Sequence, residues 1–95
     1  MEYRVLHQEG PNGGHFYIED HGSRVAEMSY QRRGAGHILI DHTEVDPSLR
    51  GRGVARLLLD AATDWARANG TRISATCSYV VVQFDRDSSL QDVKA

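Results

Sequence analysis

Ninety-five residues, 40% apolar and 25% charged, fit one domain built on one hydrophobic core and exclude a disordered chain or a division into two domains. Eleven Lys plus Arg against thirteen Asp plus Glu leave a net charge of −2, which excludes a general attraction to nucleic acid or anionic membrane; an anionic ligand has to be held locally. The single cysteine, Cys77, excludes an internal disulfide and a cysteine-based zinc site, and it suits a reducing compartment, the cytoplasm being the expected location.

Residues 1–4 show no basic stretch leading into an apolar run, and no segment reaches about eighteen consecutive apolar residues, so neither a secretory leader nor a membrane span is expected. Positions 3–9 read as a short first edge strand, closed by the turn-forming Gly10-Pro11-Asn12-Gly13-Gly14. His15–Asp20 alternates, with Phe16 and Ile18 on one face and Tyr17 and Glu19 on the other, and His21-Gly22 turns it into a hairpin. Arg24–Gln31 keeps the period of two, with Ala26, Met28 and Tyr30 opposite Val25, Glu27 and Ser29. After Gly34-Ala35-Gly36, residues 37–45 form the most β-prone run, ending at Asp46-Pro47. Alternation there puts Ile38, Ile40, His42 and Glu44 on one face, with Leu39, Asp41, Thr43 and Val45 on the other.

From Gly53 the period changes. Val54, Leu57, Leu58, Ala61, Trp65 and Ala68 mark one face of an amphipathic helix, with Arg56, Asp60, Asp64 and Arg67 on its other side and a stop at Asn69-Gly70. Residues 71–77 form a last strand with Ile73, Ala75 and Cys77 on one face; Tyr79–Phe84 suits a strand by propensity or a short helix by its length and flanks, and the tail after Ser88 reads as polar and loosely held.

Strand 37–45, a loop, a helix and strand 71–77 make a β-loop-α-β unit, which places the loop at the carboxyl edge of two parallel strands, where ligands favour binding. About four N–H groups lack partners at a helix start, and the macrodipole adds roughly half a positive charge there. Gly51 and Gly53 allow a tight bend and close approach of a phosphate, while Arg50, Arg52 and Arg56 gather positive charge. No Gly-Lys-Ser/Thr follows, and a dinucleotide fingerprint would need glycine at Arg56, so nucleotide hydrolysis and hydride transfer lose support. From spacing alone the segment is either a phosphate or pyrophosphate cradle or a solvated helix entry capped by Ser48.

Val45-Asp46-Pro47, followed after two residues by Arg50-Gly51-Arg52-Gly53-Val54-Ala55, resembles the acetyl-coenzyme A signature of the GNAT superfamily of acyltransferases, whose core is Gln/Arg-x-x-Gly-x-Gly/Ala. His42-Thr43-Glu44-Val45 and Cys77-Ser78-Tyr79-Val80 resemble, more narrowly, a subfamily of minimal GNAT-like proteins of about this length. The resemblance implies an α/β (α+β) fold over residues 1–95: a mixed, mostly antiparallel five-stranded sheet, one long helix, and a short C-terminal helix over residues 79–86. It also implies that the parallel strands 37–45 and 71–77 splay apart, with pantetheine in the gap and pyrophosphate on the loop. Val45, Arg50, Gly51, Arg52, Gly53, Val54 and Ala55 are then the binding residues for acetyl-coenzyme A. Larger members carry two helices between their first strands that shape the acceptor site; the short loops here leave no room for them.

In that frame Cys77 is either an acyl carrier close to the thioester or a small side chain that packs well. His42 or Glu44 is the candidate base, His42 otherwise being a structural histidine bonded to backbone. His7, His15, His21 and His37 are scattered, and no metal site is expected. Tyr17 and Tyr30 either line an acceptor groove or serve packing, and Trp65 reads as core. The expected activity is acetyl transfer from acetyl-coenzyme A to an amine of unknown identity, by direct attack or through acyl-Cys77, with N–H groups near Glu44 and Val45 polarising the carbonyl. The expected partners are that thioester and that amine, not nucleic acid or membrane, and the expected state is a monomer. The rival readings are a non-catalytic coenzyme A binding module and a protein-interaction domain that retains the fold.

Overall fold

The computed structural model describes residues 3–95; residues 1 and 2, part of the stretch read for a leader, lie outside it. Five strands, β1 (Leu6–Glu9), β2 (Gly13–Asp20), β3 (Ser23–Arg32), β4 (His37–Val45) and β5 (Arg72–Ala75), lie side by side in chain order. The first three pairings are antiparallel and β4–β5 is parallel. Helix α1 (Val54–Asn69) carries the chain across from β4 to β5, and α2 (Ser78–Arg86) follows β5. The β2–β3 connection is the expected hairpin: His21 and Gly22 both take positive φ, 50° and 80°, the two-residue turn whose twist matches antiparallel strands.

Alternation fixes one face of the sheet against the helices. Phe16, Ile18, Ala26, Met28, Tyr30, Ile38 and Ile40 are all buried there, as the period of two predicts for β2 and β3. Tyr17 points away, under the Arg24 guanidinium at 3.9 Å, so Tyr17 and Tyr30 lie on opposite faces and share no groove. Tyr30 instead joins His7, Phe16 and Trp65: the His7 ring stacks on Phe16 at 3.9 Å and shares a 2.8 Å hydrogen bond with the Tyr30 hydroxyl. His7 is therefore a packed residue and not one of a scattered surface set, and burial lowers its pKa.

The helix spans the expected residues and ends on left-handed Gly70, whose N–H reaches Ala66 O, but its buried stripe is rotated. Val54, Leu58, Leu59, Ala62, Thr63 and Ala66 are buried, while Leu57 is 39% exposed and Ala68 faces solvent. The run Leu57-Leu58-Leu59 satisfies several rotations of a helical stripe equally well. Packing against both the sheet and the C-terminal segment selects the one that includes Leu59 and Thr63, whose hydroxyl donates to Asp60 O at 3.0 Å.

Two further expectations are corrected at the C-terminal side. Strand β5 stops at Ala75, and Cys77 is the residue that caps α2 rather than the end of a strand. The tail after Ser88 is held: Leu90 and Val93 are buried in a 3-10 segment (Ser88–Val93), Arg67 pairs with Asp92 at 2.8 Å, and Ala95 N–H donates to Ile73 O at 2.8 Å. Two buried apolar residues spaced by three, with these polar ties, fold a polar tail back onto α1.

Candidate functional site

The gap in the sheet begins at Ile40. The β4–β5 ladder covers only His37–Ile40, and the N–H groups of Thr76 and Cys77 both donate to Ile40 O, at 3.1 and 3.3 Å. From Asp41 onward β4 has no strand on that side. At the same point a bulge interrupts β4: Tyr30 faces Ile40 and Ser29 faces His42, so Asp41 has no partner residue. Its carboxylate accepts from Ser29 Oγ at 2.7 Å and Gln31 Nε2 at 2.8 Å. Partial burial pushes the Asp41 pKa up, and those hydrogen bonds outweigh it and hold the pKa below the ordinary value.

The extra residue inverts the alternation that the sequence predicts for β4. Beyond the bulge, Thr43 and Val45 stand opposite buried Met28 and Ala26, on the helix side, whereas His42 and Glu44 stand opposite Ser29 and Glu27 on the open face. His42 and Glu44 thus do not share a face with Ile38 and Ile40. Asp46 N–H donates to Val25 O at 2.8 Å; by alternation Glu44 N–H points toward β3, and the N–H groups of Val45 and Thr43 point into the gap.

Loop 50–53 is shaped as a cradle. Gly51 and Gly53 both adopt left-handed φ, 80° and 73°, and a Cβ on either would meet nothing within 4 Å. Gly53 is the N-cap of α1 and supplies no side-chain acceptor to the first turn. Ser48 does not cap the helix: its N–H and hydroxyl both donate to Asp46 Oδ1, at 2.9 and 2.7 Å, which holds the Asp46 carboxyl below its usual pKa. The first N–H groups of α1 are left to whatever anion enters. Arg50 and Arg52 are exposed and have no carboxylate partner among the described residues. Arg56, which also lines that end of the fold, is different: its guanidinium is already paired with Asp60 and Asp87, both of which raise its pKa.

A cavity of about 240 Å³ joins these parts, lined by Val45, Leu49, the Gly51 and Gly53 loop, Arg56 and Tyr79 of α2. A pyrophosphate suits its glycine end and an apolar arm its walls, so the residues present fit a coenzyme A thioester. Tyr79, which spacing alone did not single out, is half-buried, and burial raises its pKa; it lies two residues past the Cys77 cap, in the first turn of α2. Cys77 is half-buried with Sγ 3.2 Å from Thr43 Oγ1, reaching β4 across the gap. His42 Nε2 and Glu44 Oε2 are 3.5 Å apart and largely exposed. The structure brings Cys77 to Thr43 and His42 to Glu44, but on opposite faces of β4. Among the described residues no group of three or more His, Cys, Asp or Glu is placed to hold a metal ion, and no helix is long and apolar enough to cross a membrane.

Comparison with known proteins agrees with this geometry. Over nearly the whole chain the fold superimposes on the solution structure of a GCN5-like protein from Staphylococcus aureus, with a TM-score of 0.74, 36% identity, and 95% of this chain and 87% of that one covered. The aminoglycoside N-acetyltransferase AAC(6')-Iy, solved in complex with CoA, shares the fold at a TM-score of 0.57 and 21% identity, over 72% of this chain and 56% of that one. Protein NATD1 of Bos taurus is 36% identical over 55 residues, 58% of this chain, and the match spans about half the length of that relative, 49%. Residues 15–93 match the family model described as GCN5-related N-acetyl-transferase, and the chain belongs to that family.

Proposed function

We propose that this protein transfers the acetyl group of acetyl-coenzyme A to an amine. The observation that carries the reading is the continuity of one cavity from the glycine cradle at Gly51 and Gly53 to the unpaired edge of β4. When bound, the cosubstrate supplies an acyl group activated by its bond to sulfur. Arg50, Arg52 and the first N–H groups of α1 hold its phosphates, and Val45 lies along its pantetheine arm. The N–H groups of Thr43 and Val45 are aimed where the carbonyl oxygen gains negative charge. His42 or Glu44, on the open face, takes the proton of the incoming amine. Tyr79, whose phenol stays protonated at neutral pH, returns a proton to the departing thiolate.

A second route is supported by the contact of Cys77 Sγ with Thr43: the thiol attacks first, the acyl group rests on Cys77 while coenzyme A leaves as the thiol, and the amine then takes it. Titration of acetyl-coenzyme A calorimetrically into the protein, followed by an amine screen, tests the reading. Absence of binding refutes it; binding without turnover on any amine leaves a coenzyme A module. Intact mass under single turnover separates the routes: an adduct of one acetyl group, lost in Cys77→Ala, is required by the covalent one.

A further inference from the structure

Arg56 makes the only side-chain hydrogen bonds that join α1 to α2 and its capping residue among the described residues. Its guanidinium is a planar fork with five donors, and here it spans three acceptors. Nε donates to Asp60 Oδ1 at 2.8 Å within α1, Nη1 to Gln83 Oε1 at 2.9 Å on α2, and Nη2 to Asp87 Oδ2 at 2.5 Å at the C-cap of α2. Asp87 is itself pinned, since its other oxygen accepts the N–H and hydroxyl of Ser89 at 2.9 and 2.6 Å, where the C-terminal segment begins. Arg56 is the third residue of α1, next to the cradle, and the helix it grips carries Cys77 and Tyr79 at its start.

The position of this cluster matters because it is the polar tie between α2 and the helix that carries the cradle, added to the burial of Val80 and Phe84 and to the contacts of Thr76 and Cys77 with Ile40 and Thr43. The β4–β5 ladder ends at Ile40, so the distance between the exposed edge of β4 and the first turn of α2 is set by how α2 is anchored. We propose that Arg56, Gln83 and Asp87 form a latch that holds α2 at a fixed distance from the cradle and so sets the width of the cavity between Val45 and Tyr79. Arg56 is thereby a positioning residue and not a phosphate ligand. The ligand half of the inference rests on the acyl-coenzyme A reading above; the latch itself does not. The Asp87 carboxyl, hydrogen-bonded by Ser89 and Arg56, is held down at about 2, so the latch is closed at any pH near neutrality.

Cys77 supplies a readout that needs no ligand, because it is the only thiol in the chain and leans on Thr43 across the gap. The variants are Arg56→Gln and Asp87→Asn, the second keeping an oxygen for Ser89. The control is Arg67→Gln, about 16 Å further along α1, which breaks pairs with Asp64 of that helix and with Asp92 of the C-terminal segment. In the ligand-free proteins, with folding checked by circular dichroism, the rate of thiol modification by dithiobis(nitrobenzoate) rises about 3- to 10-fold in Arg56→Gln and Asp87→Asn, the range for losing a partly solvated charged hydrogen bond, and stays near wild type in Arg67→Gln. Coenzyme A affinity, measured by calorimetry, falls in the same two variants and not in the control. Unchanged thiol rates in folded Arg56→Gln and Asp87→Asn overturn the latch, as does an equal rise in Arg67→Gln, which would make the effect one of general stability. A rise confined to the latch variants in a protein that binds no coenzyme A would support the latch and refute the acyl-coenzyme A reading alone.

Discussion

Glutamate at position 53 separates the cradle from the fold that carries it. Gly53 lies at φ 73°, ψ 16°, where an L residue costs about 1–2 kcal/mol; a carboxylate at a helix N-terminus returns about 0.3–1 kcal/mol. A Cβ there meets nothing within 4 Å, so no clash adds to the strain. The net loss of about 1 kcal/mol lowers Tm by about 4–8 °C in a domain of this size. The effect on the ligand is governed by a different quantity. A carboxylate about 4 Å from a phosphate charge costs about 1 kcal/mol at the dielectric of water and about 4 kcal/mol at that of a protein surface. Acetyl-coenzyme A affinity in Gly53→Glu therefore falls about 5- to 1000-fold. Gly53→Ala carries the strain without the charge, so its melting temperature falls at least as far while its affinity stays above that of Gly53→Glu. Thermal melting paired with calorimetric titration of the three proteins is the assay. A folded Gly53→Glu protein that binds acetyl-coenzyme A as tightly as wild type would refute the cradle.

The other predictions concern the core. His7 has its pKa lowered from 6.5 by burial against Phe16 and Trp65, so its contribution to stability is present above pH 6.5 and is lost as the pH falls through the lower folded-state value. Trp65 fluorescence should follow that titration, with a midpoint below 6.5 that disappears in His7→Gln; a midpoint above it would refute the burial argument. Leu58→Ala, at a fully buried position, should cost about 2–5 kcal/mol in urea unfolding, against about 0.5 kcal/mol or less for the neighbouring exposed Leu57→Ala. Equal losses would put both leucines in the core.

How far the sequence could be read depends on which physical signal each part carries. Strands β2 and β3, the span of α1 and the Gly70 stop are written in local periodicity and turn chemistry, and they stand where periodicity puts them. The register of a helix within a run such as Leu57-Leu58-Leu59 is not local; it is set by what packs on two sides at once. The tail past Ser88 failed for the same reason, since Leu90 and Val93 gain a partner only after β5 and α2 have placed the floor beneath them. Arg56 looked like a third cradle charge because Asp87, its partner 31 positions later, is invisible at short range.

The bulge at Asp41 is the case with the largest consequence for function. In sequence, Asp41 is one more residue in an alternating strand, and nothing local distinguishes it from Asp20 or Glu44. Its effect arises from two polar partners on β3, Ser29 and Gln31, which hold its side chain on the open face and leave His42 there beside it. Strict alternation would have turned His42 and Glu44 toward the helices and exposed Thr43 and Val45. With one residue inserted, the amides of Thr43 and Val45 face the gap, and His42 and Glu44 face the side uncovered by helices. The bulge at Asp41 thus reverses the facing that periodicity alone assigns to all four residues.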